Sequence, residues 1–174
     1  MTKAAGLPTP VRRVDARGLI LEIHDRATDP AAFGDFEAIV RLWRERAGER
    51  PFPSWRNFDI PDFSGWFGRM MIFEGGDLRW RLFGGEFVTL MGHDYTGRTL
   101  EEMFRNNRPE IGAKIRDHLR AVIETGGIGY SRGPLFPFRE RMLATWVVDL
   151  PLAGTGDVPE SVLCLFRIAA RKPG

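Results

Sequence analysis

Between Phe67 and Arg171 the apolar pattern changes period twice, and that change constrains the fold more than any other feature of the chain. Phe67 to Glu74 and Leu78 to Phe83 read as two strands joined by the turn Gly75-Gly76-Asp77. Leu78, Trp80 and Leu82 are expected on one side of the second strand, with Arg79, Arg81 and Phe83 on the other. Gly84-Gly85 breaks the strand, and Glu86 to Met91 is a short helical stretch ending at Gly92. After the turn His93 to Arg98, Thr99 caps another short helix with Glu102 three residues on. The period then lengthens: Ile111, Ile115, Leu119 and Val122 recur at helical steps, joined by Ile123. Asn107 reads as the cap of that helix, Glu110 as the partner in a capping box and Gly126 as the stop. Ile128 to Phe138, Arg141 to Leu152 and Ser161 to Arg171 return to β patterning, the last two separated by the turn Ala153 to Asp157. Two strands, a helical crossover and three strands predict an α+β core over 66–174, one five-stranded antiparallel sheet with helices on one face.

Two segments precede that core. Residues 1–28 read as an N-terminal arm, with one short apolar segment from Ala16 to His24. Residues 29–65 read as an amphipathic helix and a Pro-rich connector. Asp29 caps the helix, Pro30 takes its first position and Gly48 ends it. Phe33, Phe36, Val40 and Trp43 form its apolar stripe, widened by Ile39 and Leu42. Pro51, Pro53 and Pro61 forbid a regular helix beyond it, so the aromatic residues there are expected to lie extended on the body.

Composition excludes several classes. With 43% hydrophobic and 28% charged residues, the chain is neither disordered nor a membrane protein. Met1 to Pro8 lacks the apolar stretch of a secretory signal, so a cytoplasmic location is expected. The pI of about 9.0 invites a nucleic-acid reading. Of 25 basic residues only Lys3, Lys114 and Lys172 are Lys, and the arginines are interleaved with Asp and Glu, as in Arg41-Leu42-Trp43-Arg44-Glu45-Arg46. Without a basic run the reading is a mixed-charge surface, and neither a nucleic-acid nor a membrane partner is expected.

Specific residues resemble the PAS domain, and within it the variant of short stand-alone bacterial proteins once classed as a domain of unknown function. The resemblance rests on Trp43 late in a helix, the connector Pro53-Ser54-Trp55-Arg56-Asn57-Phe58-Asp59-Ile60-Pro61, and the strand Arg79-Trp80-Arg81-Leu82-Phe83-Gly84. The turn Gly92-His93-Asp94-Tyr95-Thr96-Gly97-Arg98, Gly133-Pro134 and Leu150-Pro151-Leu152 complete it, so it spans about residues 30–170. It implies a sensory or regulatory binding module, often dimeric, with no catalytic activity of its own. One such domain leaves no room for an output domain, so the signal is expected to pass in trans to a downstream signalling protein. PAS N-terminal helices commonly pack across a dimer, which nominates the 30–47 helix for a homodimer. The alternative is a ligand-free dimeric interaction protein whose interior is filled by its own aromatic side chains.

No motif nominates an active site. Gly84-Gly85-Glu86-Phe87 looks like the diguanylate cyclase signature but lacks the second acidic residue, and it reads as a strand-to-helix turn. His24, His93 and His118 are not spaced as metal ligands, and no metal or other cofactor is expected. Haem-binding PAS domains use a His on the corresponding helix, so the resemblance implies His118 as the ligand only if haem is bound. Cys164 reads as a small core residue. The remaining candidate site is a cavity between sheet and helices. Leu78, Trp80, Leu82, Phe87, Met91, Met103, Phe104, Leu119, Trp146 and Cys164 are its expected lining, and Arg81 either supplies the polar group that pairs an anionic small molecule or points, with Arg79, to solvent or a dimer partner.

Overall fold

The computed structural model describes residues 7–138 and 141–169, so the far ends of the expected arm and of the last strand lie outside the described residues. Among the described residues seven strands, rather than five, form one antiparallel sheet. The two additional strands are β1 (Arg12–Ala16), which the sequence suggested would be a loose arm, and β2 (Leu19–His24), which falls in the short β-leaning apolar segment expected at Ala16 to His24. They turn on Arg17 and Gly18, whose φ values of 54° and 87° give the two-residue turn that matches strand twist. Asp15 Oδ1 accepts from Gly18 N at 3.1 Å within that turn. Leu19, Leu21 and Ile23 are buried on one side and Glu22 and His24 on the other, so β2 is covered on both faces, whereas in β1 only Ala16 is buried.

The core strands are β3 (Met70–Glu74), β4 (Arg79–Phe83), β5 (Ile128–Phe138), β6 (Arg141–Ala153) and β7 (Pro159–Ile168). The order across the sheet is β1-β2-β5-β6-β7-β3-β4. One edge, β4, is covered: Trp80 N donates to Arg98 O at 3.0 Å and Trp80 O accepts from Gly97 N at 2.8 Å.

Helices cover both faces, where one was expected. On the first face lie α2 (Gly85–Met91), α3 (Leu100–Phe104) and α4 (Pro109–Thr125), by chain order the last three helices. The second face is covered by α1 (Glu37–Ala47) and the connector. Alternate residues divide between the two cores. Met71, Phe73, Val162, Cys164 and Phe166 join the first, while Met70, Ile72, Leu163 and Leu165 join the second. This is why Val162 to Phe166 is an unbroken apolar run.

Three local expectations change. The helix over 29–47 is not the N-terminal element, and it is divided: a 3-10 turn at Pro30–Phe36 is kinked at Gly34 (φ 57°, ψ −120°), and only Glu37–Ala47 is α-helical. Its stripe is spent inside the molecule, with Phe33, Phe36, Ile39, Val40 and Trp43 all buried and Trp43 Nε1 donating to Pro151 O at 2.9 Å. In α4 the cap is Arg108 rather than Asn107, because Pro109 takes the first helical position. In β4 a bulge changes the parity: Phe73 pairs with Trp80 but Ile72 with Leu82. Phe83 therefore joins Trp80 in the first core, and Leu82 packs against the second.

Candidate functional site: a polar cluster in the sheet core

The first-face core holds a cavity of about 30 Å³, room for roughly one water molecule. Most of its wall is apolar, from Met71, Phe73 and Trp80 on the sheet to Met103, Phe104 and Leu119 on the helices. Its polar wall is His118, Ser131, Asp149 and Cys164. His118 on α4 is 5% exposed and Asp149 on β6 is 3% exposed. Their Nε2 and Oδ2 atoms lie 3.0 Å apart. Cys164 faces Asp149 directly across the β6–β7 ladder.

The space for this cluster comes from Gly129, which pairs with Asp149 from β5. A Cβ there would stand 2.8 Å from Asp149 Oδ2 and 2.9 Å from His118 Nε2. A side chain at 129 would therefore displace the carboxylate or the ring. The thiol of Cys164 is pushed well above its ordinary pKa, first by burial, then by the charge of Asp149 and a hydrogen bond to it. A nucleophilic cysteine needs the opposite setting, a cation or helix N-terminus that stabilises the thiolate. Here the thiol is a donor to a carboxylate, and the cluster joins β6, β7 and α4.

The structure brings together some of the residues nominated from sequence and separates others. Trp80, Met103, Phe104, Leu119 and Cys164 line the cavity. Phe87 is buried in the same core but packs edge-on against Phe166, with centroids 4.6 Å apart, and is not in the wall. Met91 packs at the margin of that core, and Leu78 is buried in it beneath a surface groove. Leu82 is on the other side of the sheet for the reason given by the bulge. Trp146 is also on the second face, 37% exposed, beside Tyr130 and Arg167. Arg81 is exposed and pairs with Glu74 at 3.2 Å, so it offers no polar group to the cavity.

Arg81 instead lines an open groove of about 1130 Å³ with Arg50, Arg56, Arg79 and Arg120. Acidic partners answer several of these charges: Arg50 pairs with Asp157 at 2.9 Å and Arg79 with Asp77 at 2.7 Å. Gly84 begins the G-G-E-F stretch at a close crossing, where a Cβ would lie 2.3 Å from Gly68 O. Glu86 N donates to the same carbonyl at 3.0 Å, which accounts for the motif as backbone packing.

Haem does not fit the residues present. The residue implied as its ligand, His118, has Nε2 engaged by Asp149, and the cavity is far below the roughly 300 Å³ at which ligand pockets begin. Among the described residues no group of three His, Cys, Asp or Glu side chains could hold a metal ion.

A second buried carboxylate lies on the opposite face. Glu22 is bonded by Arg13 at 2.7 Å and approached by Arg132 at 3.4 Å and His24 at 3.6 Å. The His24 pKa is lowered, chiefly by burial, against the opposing pull of Glu22. Sequence reasoning missed Asp149 and Glu22 as core residues. The signal was a lone acid inside an apolar run, Val147-Val148-Asp149-Leu150 and Leu21-Glu22-Ile23.

No family model matches the chain, and no curated protein matches it either. Among solved structures it is similar to the PAS domain of histidine kinase ThkA, at 17% identity and a TM-score of 0.42. That match covers 56% of this chain and 95% of the other. Among the described residues no helix is long and apolar enough to cross a membrane.

Proposed function

We propose that the chain is a non-catalytic regulatory module of the PAS-like kind that acts through protein contacts, its interior being filled by its own side chains. The observation that carries this reading is the 30 Å³ cavity, occupied around its rim by Trp80, Phe104 and Phe166. A sensor for an organic ligand would need about ten times that volume. The arrangement of Cys164, Asp149 and His118 supports a structural rather than a nucleophilic role, because the thiol is held protonated. The module would transmit by changing which surface it offers to a partner, and the polar cluster would hold α4 in one register on the sheet. Native mass spectrometry of freshly purified protein tests this. The expected masses are whole multiples of the 19.7 kDa chain. A stoichiometric retained organic molecule would overturn the closed-interior reading.

A further inference from the structure

The two edges of the sheet are treated differently. β4 is covered by the backbone of Gly97 and Arg98, whereas among the described residues nothing pairs with the outer edge of β1. We propose that this edge joins a second copy of the chain, antiparallel, about a two-fold axis passing through Val14.

The register follows from the hairpin. A two-residue turn makes its flanking pair, Ala16 and Leu19, a hydrogen-bonded pair. Alternation then turns the main-chain groups of Val14 and Arg12 toward β2 and those of Arg13 and Asp15 outward. Val11 N donates to Ile23 O at 2.8 Å, one residue before the strand begins. The outward N–H and C=O groups of Arg13 and Asp15 have no partner among the described residues.

An antiparallel pair with its two-fold normal to the sheet keeps each residue on its own face, so the axis must pass through a residue. Centred on Val14, the pairing sets Arg13 opposite the partner's Asp15, and Asp15 opposite the partner's Arg13. Both positions are exposed and on the same face. Each such pair exchanges two backbone hydrogen bonds and sets Asp15 beside the partner's Arg13, whose guanidinium also holds Glu22 of its own copy at 2.7 Å. On the other face Val14, partly buried against the first core, meets the partner's Val14.

The charge pattern also rejects the neighbouring registers. An axis through Arg13 sets two guanidiniums opposite each other, and one through Asp15 sets two carboxylates together. Edge strands are often guarded by charge against any pairing. Here the signs alternate at the spacing of two that makes a single register self-complementary. A five-residue strand pair buries less than a standard interface, so a weak, reversible association is expected.

The proposal rests on the reading of the chain as an interaction module, but its test is separate from that of the closed interior. Sedimentation velocity from about 1 to about 500 µM should show a reversible dimer. Asp15→Asn keeps an acceptor for Gly18 N while removing the charge, and should weaken the dimer several-fold. Asp15→Arg should weaken it on the order of 100-fold, since two attractive pairs become repulsive. In the wild type, amide exchange at Arg13 and Asp15 should slow as concentration rises, while Val14, already bonded within the hairpin, should not change. A monomer throughout that range, equal dimerisation by all three forms, or a dimer with unchanged exchange at Arg13 and Asp15 would each overturn the proposal. None of those results bears on whether native mass spectrometry finds a retained ligand.

Discussion

The two faces of the sheet each bury one carboxylate, and they satisfy it in opposite ways. On the second face Glu22 sits against the guanidiniums of Arg13 and Arg132, so its charge is neutralised by its neighbours in the strands. On the first face Asp149 is held by a ring and a thiol, from α4 and β7. The first arrangement fastens a hairpin to the sheet edge. The second fastens a helix to the sheet centre, through groups that both lose a partner if the carboxylate goes. Aromatic packing carries the rest of the second face, with Phe36 stacked on Trp66 at 5.4 Å and Trp55 on Phe63 at 5.2 Å.

Five measurements break or sharpen this contrast. The largest loss is expected from Trp43→Ala, which removes the buried aromatic residue of α1 and leaves Pro151 O without its donor. Urea unfolding should show a loss of about 4 kcal/mol. Asp149→Ala comes next, at about 3 kcal/mol, because His118 and Cys164 both lose their acceptor. The double variant His118→Ala with Asp149→Ala should cost clearly less than the sum of the singles, and additivity would show that the two groups do not act as a pair. Gly129→Ala should cost about 1–3 kcal/mol by pushing the carboxylate off the ring, measured by the same unfolding midpoint.

The fourth prediction concerns pH. Because the folded-state pKa of His24 lies below the ordinary 6.5, the unfolded chain takes up a proton at a higher pH than the folded one. Its contribution is therefore constant above about pH 6.5 and turns against folding as pH falls below that value, by at most about 1.4 kcal/mol per unit. His24→Leu should flatten that part of the stability curve, and an unchanged slope would remove His24 as its source. Smallest of all, Arg81→Ala should change stability by less than about 0.5 kcal/mol, since its ion pair with Glu74 is exposed on both sides.

Much of the sheet-and-crossover order was legible because each core strand carries period-two or continuous apolar patterning. What escaped has local physical causes. Arg12-Arg13-Val14-Asp15 is an edge strand whose outer groups need no apolar cover, so nothing in it distinguishes strand from coil. The parity of β4 inverted because a bulge adds one residue without a turn signal, which moved Leu82 away from the residues it was grouped with. Trp146 and Arg81 were grouped with the cavity by residue type, and strand parity places the first on the opposite face. Asp149 escaped because a carboxylate in an apolar strand becomes intelligible only when its donors, one from a distant helix, are brought within reach.

The strand order also sets a timetable for synthesis. β2 has its inner neighbour in β5, with Glu22 opposite Tyr130, and β3 has one neighbour in β7, with Met71 opposite Cys164. Both of these strands made before α4 thus wait for strands made after it, across roughly a hundred residues. At ordinary elongation rates that interval is about 5–20 s, during which Leu19, Leu21, Ile23 and the Met70 to Phe73 stretch have no sheet to enter. A ribosome that pauses within α4 would prolong the exposure of these segments, and the nascent chain is most in need of a holding chaperone at that point.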